Sequence, residues 1–493
     1  MSERQRLGVQ DALWLEMDKP GNLMVVDSLF WTATPIDWDR FREVTRERLW
    51  DRYPVFRSIV VRGEDGARYW EEQPDADPDS RYEHVVLPEP GGDAELQQLI
   101  ASQRTLPLVR DEPLWHAVLV DGFHGGSAVL FRGHHAIADG IRLVQLTLSV
   151  FDTTPDGTVD ARTAPMPTTP DQASSQAPVP PLAAGPSTTS RVMSRATDTM
   201  RASLALTRGA ATNPVGTAHS AMTLSESLIG SVRSRASFLS AVPGDIDTAR
   251  KLVLGTRNDL SRWSGTVGDR KSIAWSPPVA LQDVKAVAQA ASATVNDVLV
   301  TCLAESLRTY LEDHHALCHS VTWDVPVNLK PFDPDLPVEL GNSFALVQLE
   351  LPTNIDDPVR TLEVVRRRMN RIKSGHEAVV DFGIQALISG LNKRLYRATV
   401  DLLASRAIGV LTNVPGPQIP LYIAGQRVEG MMGWAPVTAD QIMSFTIYSY
   451  DDKVFVGIAV DAGQVPDHEQ IVDGFLNAFQ RLSRLTLGRS APT

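Results

Sequence analysis

The sequence contains only two cysteines, Cys302 and Cys318, in 493 residues. So few cysteines exclude a secreted scaffold held by disulfides, and Cys302 lies in an apolar run at 298–303 that indicates a buried, inert thiol. The chain also lacks any run of about 18 consecutive apolar residues, the length that a membrane-spanning helix needs. Its charged N-terminus leads into no signal-peptide core. We therefore expect a cytoplasmic protein, whose contact with a membrane would be at the surface.

The chain has no excess of positive charge, since its formal net charge is −12 at pH 7. A nucleic-acid-binding protein normally carries a basic patch and a high pI, so we expect no nucleic-acid partner. Three common patterns are also missing, namely the Gly-x-Ser-x-Gly nucleophile elbow, the Walker phosphate loop and the Gly-x-Gly-x-x-Gly fingerprint. Their absence weakens hydrolase, ATPase and dehydrogenase interpretations. No metal or redox cofactor is expected.

Composition divides the chain into three parts. Residues 1–152 and 246–493 alternate strand-like and helix-like patterns, which predicts two α+β domains with mixed sheets. Residues 153–245 begin with a stretch rich in Pro, Ser, Thr and Ala that is typical of an extended linker. From 162 to 243 there are seven Arg and three acidic residues, a local net charge of +4. The pattern at 191–241 fits Arg-studded helices, either lying on an anionic membrane or packed on the second domain.

Two adjacent histidines stand at a predicted strand-to-helix corner. The predicted strand at 127–132 ends at Gly133, His134 and His135 follow, and a helix opens at Asp139 and Gly140. Consecutive residues of an extended segment point in opposite directions, so we assign His134 a structural role and His135 the chemical one. We expect Asp139 to cap the helix or to fix the corner with its charge. Gly140 would allow close packing or an unusual backbone angle.

His135 is suited to general-base catalysis. A neutral imidazole, with an ordinary pKa of about 6.5, can take the proton of an alcohol while the alcohol oxygen attacks a thioester, which contributes about 10²–10⁴-fold to the rate. The leaving thiolate is stable, so one oriented histidine and a donor for the tetrahedral oxyanion form a sufficient site. The alternative is that both histidines are structural residues.

A second histidine pair, His314-His315, is not followed by Asp-Gly. It stands at the end of a predicted helix, a few residues before Cys318 and His319. No further residues with zinc-ligand spacing lie nearby. We interpret this pair as a solvated helix end and predict no metal site.

Beyond the first histidine pair, the chain resembles the bacterial wax ester synthase/acyl-CoA:diacylglycerol acyltransferase family, within the superfamily that shares the HHxxxDG motif. The similar segments cover most of the chain outside the linker. They are Asp11-Ala12-Leu13-Trp14-Leu15, Pro113-Leu114-Trp115, Asn296-Asp297, Leu340-Gly341-Asn342, Asn413-Val414-Pro415-Gly416-Pro417 and Val465-Pro466-Asp467. One departure is Trp14, where the family more usually has Phe.

The resemblance implies two chloramphenicol-acetyltransferase-like domains with the active site in a tunnel between them. It implies that acyl-CoA and a lipid hydroxyl acceptor meet at His135, and that Asp139 is mainly structural. Asn296, next to Asp297, would orient the acyl group or help the oxyanion, or would instead cap the helix that follows Thr294. The segment Pro113, Leu114 and Trp115 would shape the substrate site rather than perform chemistry.

The resulting prediction is an O-acyltransferase that moves a long-chain acyl group from acyl-CoA to diacylglycerol, giving triacylglycerol, or to a fatty alcohol, giving a wax ester. Two alternatives stay open. One keeps the fold and His135 but uses another hydroxyl acceptor, and the other is a lipid-body binding protein with little turnover. The expected location is the cytoplasm, with peripheral contact on the inner membrane face or on lipid inclusions as a further alternative. The oligomeric state does not follow from the sequence.

Overall fold

The computed structural model describes residues 4–157, 161, 263, 265–328, 336, 337, 340, 342, 344–374 and 404–488. The chain divides into two compact units, one formed by Met1–Gln176 with Thr256–Thr493 and the other by Ala177–Gly255. The second unit lies outside the described residues. The Arg-rich segment predicted at 191–241 falls there as well.

Sixteen strands form three sheets in the described part of the chain. The strands before the linker are β1 (Arg4–Arg6), β2 (Val25–Thr32), β3 (Ser58–Arg62), β4 (Arg68–Glu72), β5 (Tyr82–Val86), β6 (Trp115–Phe123) and β7 (Gly126–His134). Those after it are β8 (Lys271–Trp275), β9 (Val279–Ala280), β10 (Ser320–Asn328), β11 (Phe344–Pro352), β12 (Gly409–Pro415), β13 (Tyr422–Ile423), β14 (Gln426–Trp434), β15 (Met443–Tyr450) and β16 (Lys453–Asp461).

The same residue ranges contain eight α-helices. They are α1 (Val9–Met17), α2 (Trp38–Thr45), α3 (Asp93–Gln103), α4 (Gly140–Ser149), α5 (Leu281–Ala290), α6 (Val295–Asp313), α7 (Pro358–Ser374) and α8 (Glu469–Leu487). Shorter helical turns occupy Arg46–Trp50, Pro54–Arg57 and Pro78–Arg81.

The sheet that carries the first histidine pair has six strands in the order β13-β14-β2-β7-β6-β5. Strands β5 and β6 are parallel, and the other neighbours are antiparallel. Val25 in β2 lies opposite His134 in β7. Strand β14, which comes from the second half of the chain, pairs with β2 so that Trp434 lies opposite Asp27. Residues from both sides of the linker therefore build this one sheet.

The largest sheet has the order β11-β10-β12-β15-β16-β8, with β9 also paired to β16. Strand β12 is parallel to both β10 and β15, whereas the remaining pairs are antiparallel. The third sheet is small, with the order β1-β4-β3. Mixed sheets flanked by helices confirm the predicted α+β class.

Helix α6 runs through the core beside the largest sheet, and its side chains from Asp297 to Leu307 are buried. Its start is fixed by a capping box, because Thr294 Oγ1 accepts from the Asp297 N–H and Asp297 Oδ2 accepts from the Thr294 N–H, both at 3.0 Å. Thr294 is therefore the N-cap residue of α6. Among the described helices, none is by itself long and apolar enough to cross a membrane, although α5 and α6 together satisfy length and composition across a 95° bend.

Candidate active site

The first histidine pair lies at the end of β7, which is longer than predicted and includes His134. The strand continues because the His134 N–H donates to the Leu114 carbonyl at 2.9 Å, beside β6. The His135 N–H donates in the other direction, to the Met24 carbonyl at 2.8 Å beside β2. The two histidines are therefore held by opposite neighbours, as the alternation of an extended segment predicts.

His134 is 1 % exposed and its ring is used to hold the corner. Nδ1 accepts from the Ala136 N–H at 3.0 Å, and Nε2 faces Asp18 Oδ2 at 3.5 Å. Burial lowers the pKa of His134. The pKa of Asp18 is raised by burial but lowered overall, because His134, the Met24 N–H and Arg110 stabilise the carboxylate. Both ring nitrogens are directed at protein groups, and these contacts favour the structural role predicted for His134.

His135 is 7 % exposed and packs face to face against Trp14, with ring centroids 4.3 Å apart and planes inclined by 25°. Burial lowers its pKa to about 4, against the opposing influence of its own carbonyl and of the Asn342 side chain. A desolvated imidazole loses the charged form first. His135 is therefore neutral at physiological pH, which is the form that accepts a proton.

A half-buried network of hydrogen bonds runs from α1 to the backbone of His135. Asn342 Nδ2 donates to the His135 carbonyl at 3.0 Å and to Asp11 Oδ1 at 2.7 Å, and the Asn342 N–H donates to the same Asp11 oxygen at 3.2 Å. Burial raises the pKa of Asp11, although the bonds from Asn342 favour its charged form. This network joins residues 331 positions apart and holds the His135 peptide in place.

Asp11, Trp14 and Asn342 were not among the predicted site residues. The signal was present in the sequence, because all three belong to segments that resemble family motifs. Spacing alone could not assign them a role, since Asn342 is more than 200 positions from His135. Only the folded chain shows that these segments meet at one histidine.

Asp139 and Gly140 open helix α4, as predicted. Asp139 is 1 % exposed, and its Oδ1 caps the helix by accepting from the Arg142 N–H at 3.1 Å. Its negative charge also raises the pKa of Asp11. The expectation for Gly140 was wrong, because no described atom lies within 4 Å of where a Cβ would stand and its φ is not positive.

Asn296 and Asp297 have separate roles in the structure. Asp297 is 1 % exposed and belongs to the capping box of α6. Asn296 does not cap the helix, which removes one of its two predicted roles, because Thr294 already supplies the cap. Its Oδ1 instead accepts from Asn413 Nδ2 at 2.6 Å, so the segments at 296–297 and 413–417 meet side chain to side chain. The assistance of Asn296 to the oxyanion stays a prediction.

The segment from Pro113 to Trp115 is fully buried. The Leu114 carbonyl holds the His134 backbone, and Trp115 Nε1 donates to the Phe56 carbonyl at 2.7 Å. The Trp115 ring stacks on Phe131 with centroids 5.9 Å apart. Through these contacts the segment packs against the end of β7 that carries His134.

The second histidine pair ends helix α6, as expected. His314 Nε2 lies 2.7 Å from Asp467 Oδ2, and its ring stacks on Tyr310 at 4.2 Å. His315 is exposed and has a φ of 53°. In the described ranges, no group of three or more His, Cys, Asp or Glu side chains could hold a metal ion.

Comparison with known proteins identifies the family. Residues 7–299 match the wax ester synthase/diacylglycerol acyltransferase catalytic domain, and residues 340–483 match the C-terminal domain of the same family. The chain is 26 % identical over 434 residues to a Mycobacterium tuberculosis protein named probable diacylglycerol O-acyltransferase, covering 86 % of this chain and 83 % of the relative. It is 24 % identical over 483 residues to the O-acyltransferase WSD of Acinetobacter baylyi, covering 94 % and 93 %.

Solved structures share the fold. The wax ester synthase/diacylglycerol acyltransferase from Marinobacter aquaeolei VT8 matches with a TM-score of 0.66 at 19 % identity, over 98 % of this chain and 100 % of that one. The first condensation domain of the calcium-dependent antibiotic synthetase matches with a TM-score of 0.58 at 16 % identity, over 99 % and 98 %. Because the family match covers most of the sequence, the chain belongs to the wax ester synthase/diacylglycerol acyltransferase family.

Proposed function

We propose that this acyltransferase moves a long-chain acyl group from acyl-CoA to diacylglycerol or to a fatty alcohol, with His135 as the general base. The observation that carries the proposal is the buried, neutral His135, stacked on Trp14 and held through its carbonyl by Asn342. The names of the Mycobacterium and Acinetobacter relatives support O-acyl transfer and, for the former, diacylglycerol as acceptor.

In the proposed reaction, the imidazole of His135 takes the hydroxyl proton while the acceptor oxygen bonds to the thioester carbonyl carbon. The resulting tetrahedral intermediate carries its negative charge on the former carbonyl oxygen, where Asn296 is our candidate donor. The C–S bond then breaks, the carbonyl reforms and the imidazolium returns its proton to the leaving CoA sulfur. Ester and CoA are the products, so His135 ends neutral and the scheme requires no metal or redox cofactor.

The low pKa of His135 favours this proton return, while it makes the neutral ring a weaker base in the first transfer. An imidazolium in a buried site is a strong acid, so it gives up its proton readily to the departing thiolate. The stacking on Trp14 and the fixed backbone hold the ring in one orientation during both transfers, which is what positioning contributes to such reactions.

The first experiment follows CoA thiol release from palmitoyl-CoA, with diacylglycerol, hexadecanol or no acceptor. Acceptor-dependent release by the wild type, with triacylglycerol or wax ester as product, supports the proposal. Release with a different hydroxyl lipid only would keep the chemistry and change the acceptor. Binding of lipid without release under any of these conditions would instead favour the lipid-binding alternative.

We also propose that the protein meets its lipid acceptor at the inner membrane face or at lipid inclusions. Acceptors of this kind are not soluble, so the active site must work beside a lipid phase. Co-sedimentation of the full chain with vesicles that contain anionic lipid tests this proposal. Equal recovery in the supernatant with and without vesicles would contradict it.

A further inference from the structure

An apolar cavity of about 50 Å³ lies between the six-stranded sheet and helices α2 and α4. Protein interiors are close-packed and contain few voids larger than a water molecule. Apolar cavities stay dry and accept apolar guests. A cavity of this kind inside the sheet that carries His135 is therefore a candidate binding site.

Three hydroxyl groups on the cavity wall, those of Thr45, Tyr82 and Thr147, have partners within the protein. Thr45 Oγ1 and Tyr82 OH share a hydrogen bond at 2.6 Å, and Thr147 Oγ1 donates to the Leu143 carbonyl at 2.8 Å. The remainder of the wall is almost entirely aromatic and aliphatic. Such a wall favours a guest without polar groups, which for a lipid enzyme is a hydrocarbon chain.

The cavity wall belongs to the elements that position the catalytic corner. Val129 and Phe131 come from β7, which ends at His134, and Leu143 and Leu146 come from α4, which begins at Gly140. Trp115 lines the cavity as well. A guest in the cavity would therefore contact the strand and the helix that meet at the histidine corner.

Phe131 stands between the cavity and this corner. Residues 129, 131 and 133 of β7 share one face of the strand, and a Cβ built on Gly133 would lie 3.0 Å from Phe131 Cε1. The ring thus extends along the strand over Gly133, towards His135, and stacks on Trp115. Gly133 leaves the space that this ring occupies.

We propose that the cavity receives the distal part of a substrate alkyl chain, and that Phe131 and Leu146 determine the chain length that the enzyme accepts. The proposal rests on the proposed function, since it assigns a subsite to one of its two lipid substrates. The shared chemistry is a linear hydrocarbon, which either the acyl donor or the alcohol acceptor supplies.

Leu146→Phe tests the proposal, because the larger side chain fills the cavity. Leu148→Phe is the matched control on the same helix, since Leu148 is buried but does not line the cavity. Each buried methylene contributes about fourfold to binding. Exclusion of two or three methylenes by the new ring should therefore lower kcat/KM for the longest chains by about 15- to 60-fold, with little change for short ones.

The measurement is kcat/KM for acyl-CoA donors from octanoyl to stearoyl with one alcohol, and for alcohols from octanol to octadecanol with one donor. A selective loss in the donor series assigns the cavity to the acyl chain, and a selective loss in the acceptor series assigns it to the alcohol. Phe131→Leu is the second variant, and it should shift the same optimum towards longer chains. An equal loss for all chain lengths, or the same profile in Leu148→Phe, would overturn the proposal.

A measurement of lipid binding without turnover tests the cavity independently of the proposed acyl transfer. Fluorescence titration with cis-parinaric acid, a fluorescent fatty acid, requires no turnover. Wild type and Leu148→Phe should bind the probe with similar affinity, and Leu146→Phe should bind it at least about tenfold more weakly. If no CoA thioester is turned over but Leu146→Phe still binds the probe more weakly than the wild type, the proposed acyl transfer is contradicted and the cavity remains a lipid-binding site. Equal binding by all three proteins contradicts the cavity itself.

Discussion

His134-His135 and His314-His315 are both adjacent histidine pairs, but one lies at the end of a strand and the other at the end of a helix. At the strand end the two residues are buried, and their backbones bond to opposite neighbours. At the helix end His314 bonds to Asp467 while His315 is exposed. Two adjacent histidines are therefore not enough to predict a catalytic site, because their environment decides what the rings can do. Both pairs contain a stacked ring, His135 on Trp14 and His314 on Tyr310. Of these two stacked rings, only that of His135 is buried, whereas that of His314 faces Asp467.

Replacement of one histidine from each pair gives the largest expected difference. His135→Ala should lower kcat by about 10²–10⁴-fold, because it removes the general base. His314→Ala should stay within about twofold of the wild type. Initial rates of CoA thiol release measure both, with circular dichroism as the check that each variant is folded. Comparable activity of the two variants would refute the assigned role of His135.

The pH dependence of stability should also depend on His135. Its pKa is about 4 in the folded protein and about 6.5 in the unfolded chain. The unfolded chain binds the proton first, so stability is fully present above pH 6.5 and is lost as the pH falls towards 4, by up to about 3 kcal/mol. Urea unfolding at a series of pH values should show a shallower decline for His135→Ala than for the wild type. Parallel curves for the two proteins would be evidence against a neutral, buried His135.

Removal of the hydrogen bonds that Asn342 makes to Asp11 and to the His135 carbonyl should lower the rate of acyl transfer less than removal of His135 itself. Asn342→Ala should lower kcat by about 10- to 100-fold with little change in KM, because supporting residues around a functional group typically contribute this much. Asp11→Asn should have an effect in the same direction. Asn354→Ala is the matched control, since Asn354 is an exposed asparagine that bonds to His319. A change confined to KM would indicate a role in binding rather than in positioning.

The smallest effect is expected at the helix-end pair. Asp467 accepts from Tyr310 OH at 2.6 Å and lies 2.7 Å from His314 Nε2. Asp467→Asn should lower the free energy of unfolding by about 1 kcal/mol and leave activity unchanged. Denaturant unfolding and the thiol-release assay measure the two quantities. A loss of activity would mean that this pair, too, serves the active site.

Local patterns predicted the elements around the site. The strand before the histidine pair and the helix after Asp139 were both recognisable, because capping and strand alternation are short-range effects. The histidine strand was predicted two residues short of its observed end. Its last residue, His134, donates its N–H to the carbonyl of Leu114, in the loop just before β6. Strands β13 and β14 were not predicted. β13 pairs with β14, and β14 pairs with β2, which lies more than 390 residues earlier in the chain.

By itself, the sequence determined the family, the α+β class and the choice of His135, because these depend on motifs and on periodicity along the chain. Tertiary structure alone decided that Trp14 stacks on His135, that Asp11 and Asn342 hold its carbonyl, and that Asn296 meets Asn413. It also decided that, among the described residues, no atom packs against the position of a Cβ at Gly140. The physical reason is that burial and hydrogen bonding depend on which segments meet in space, and segments hundreds of residues apart meet only when the sheets assemble.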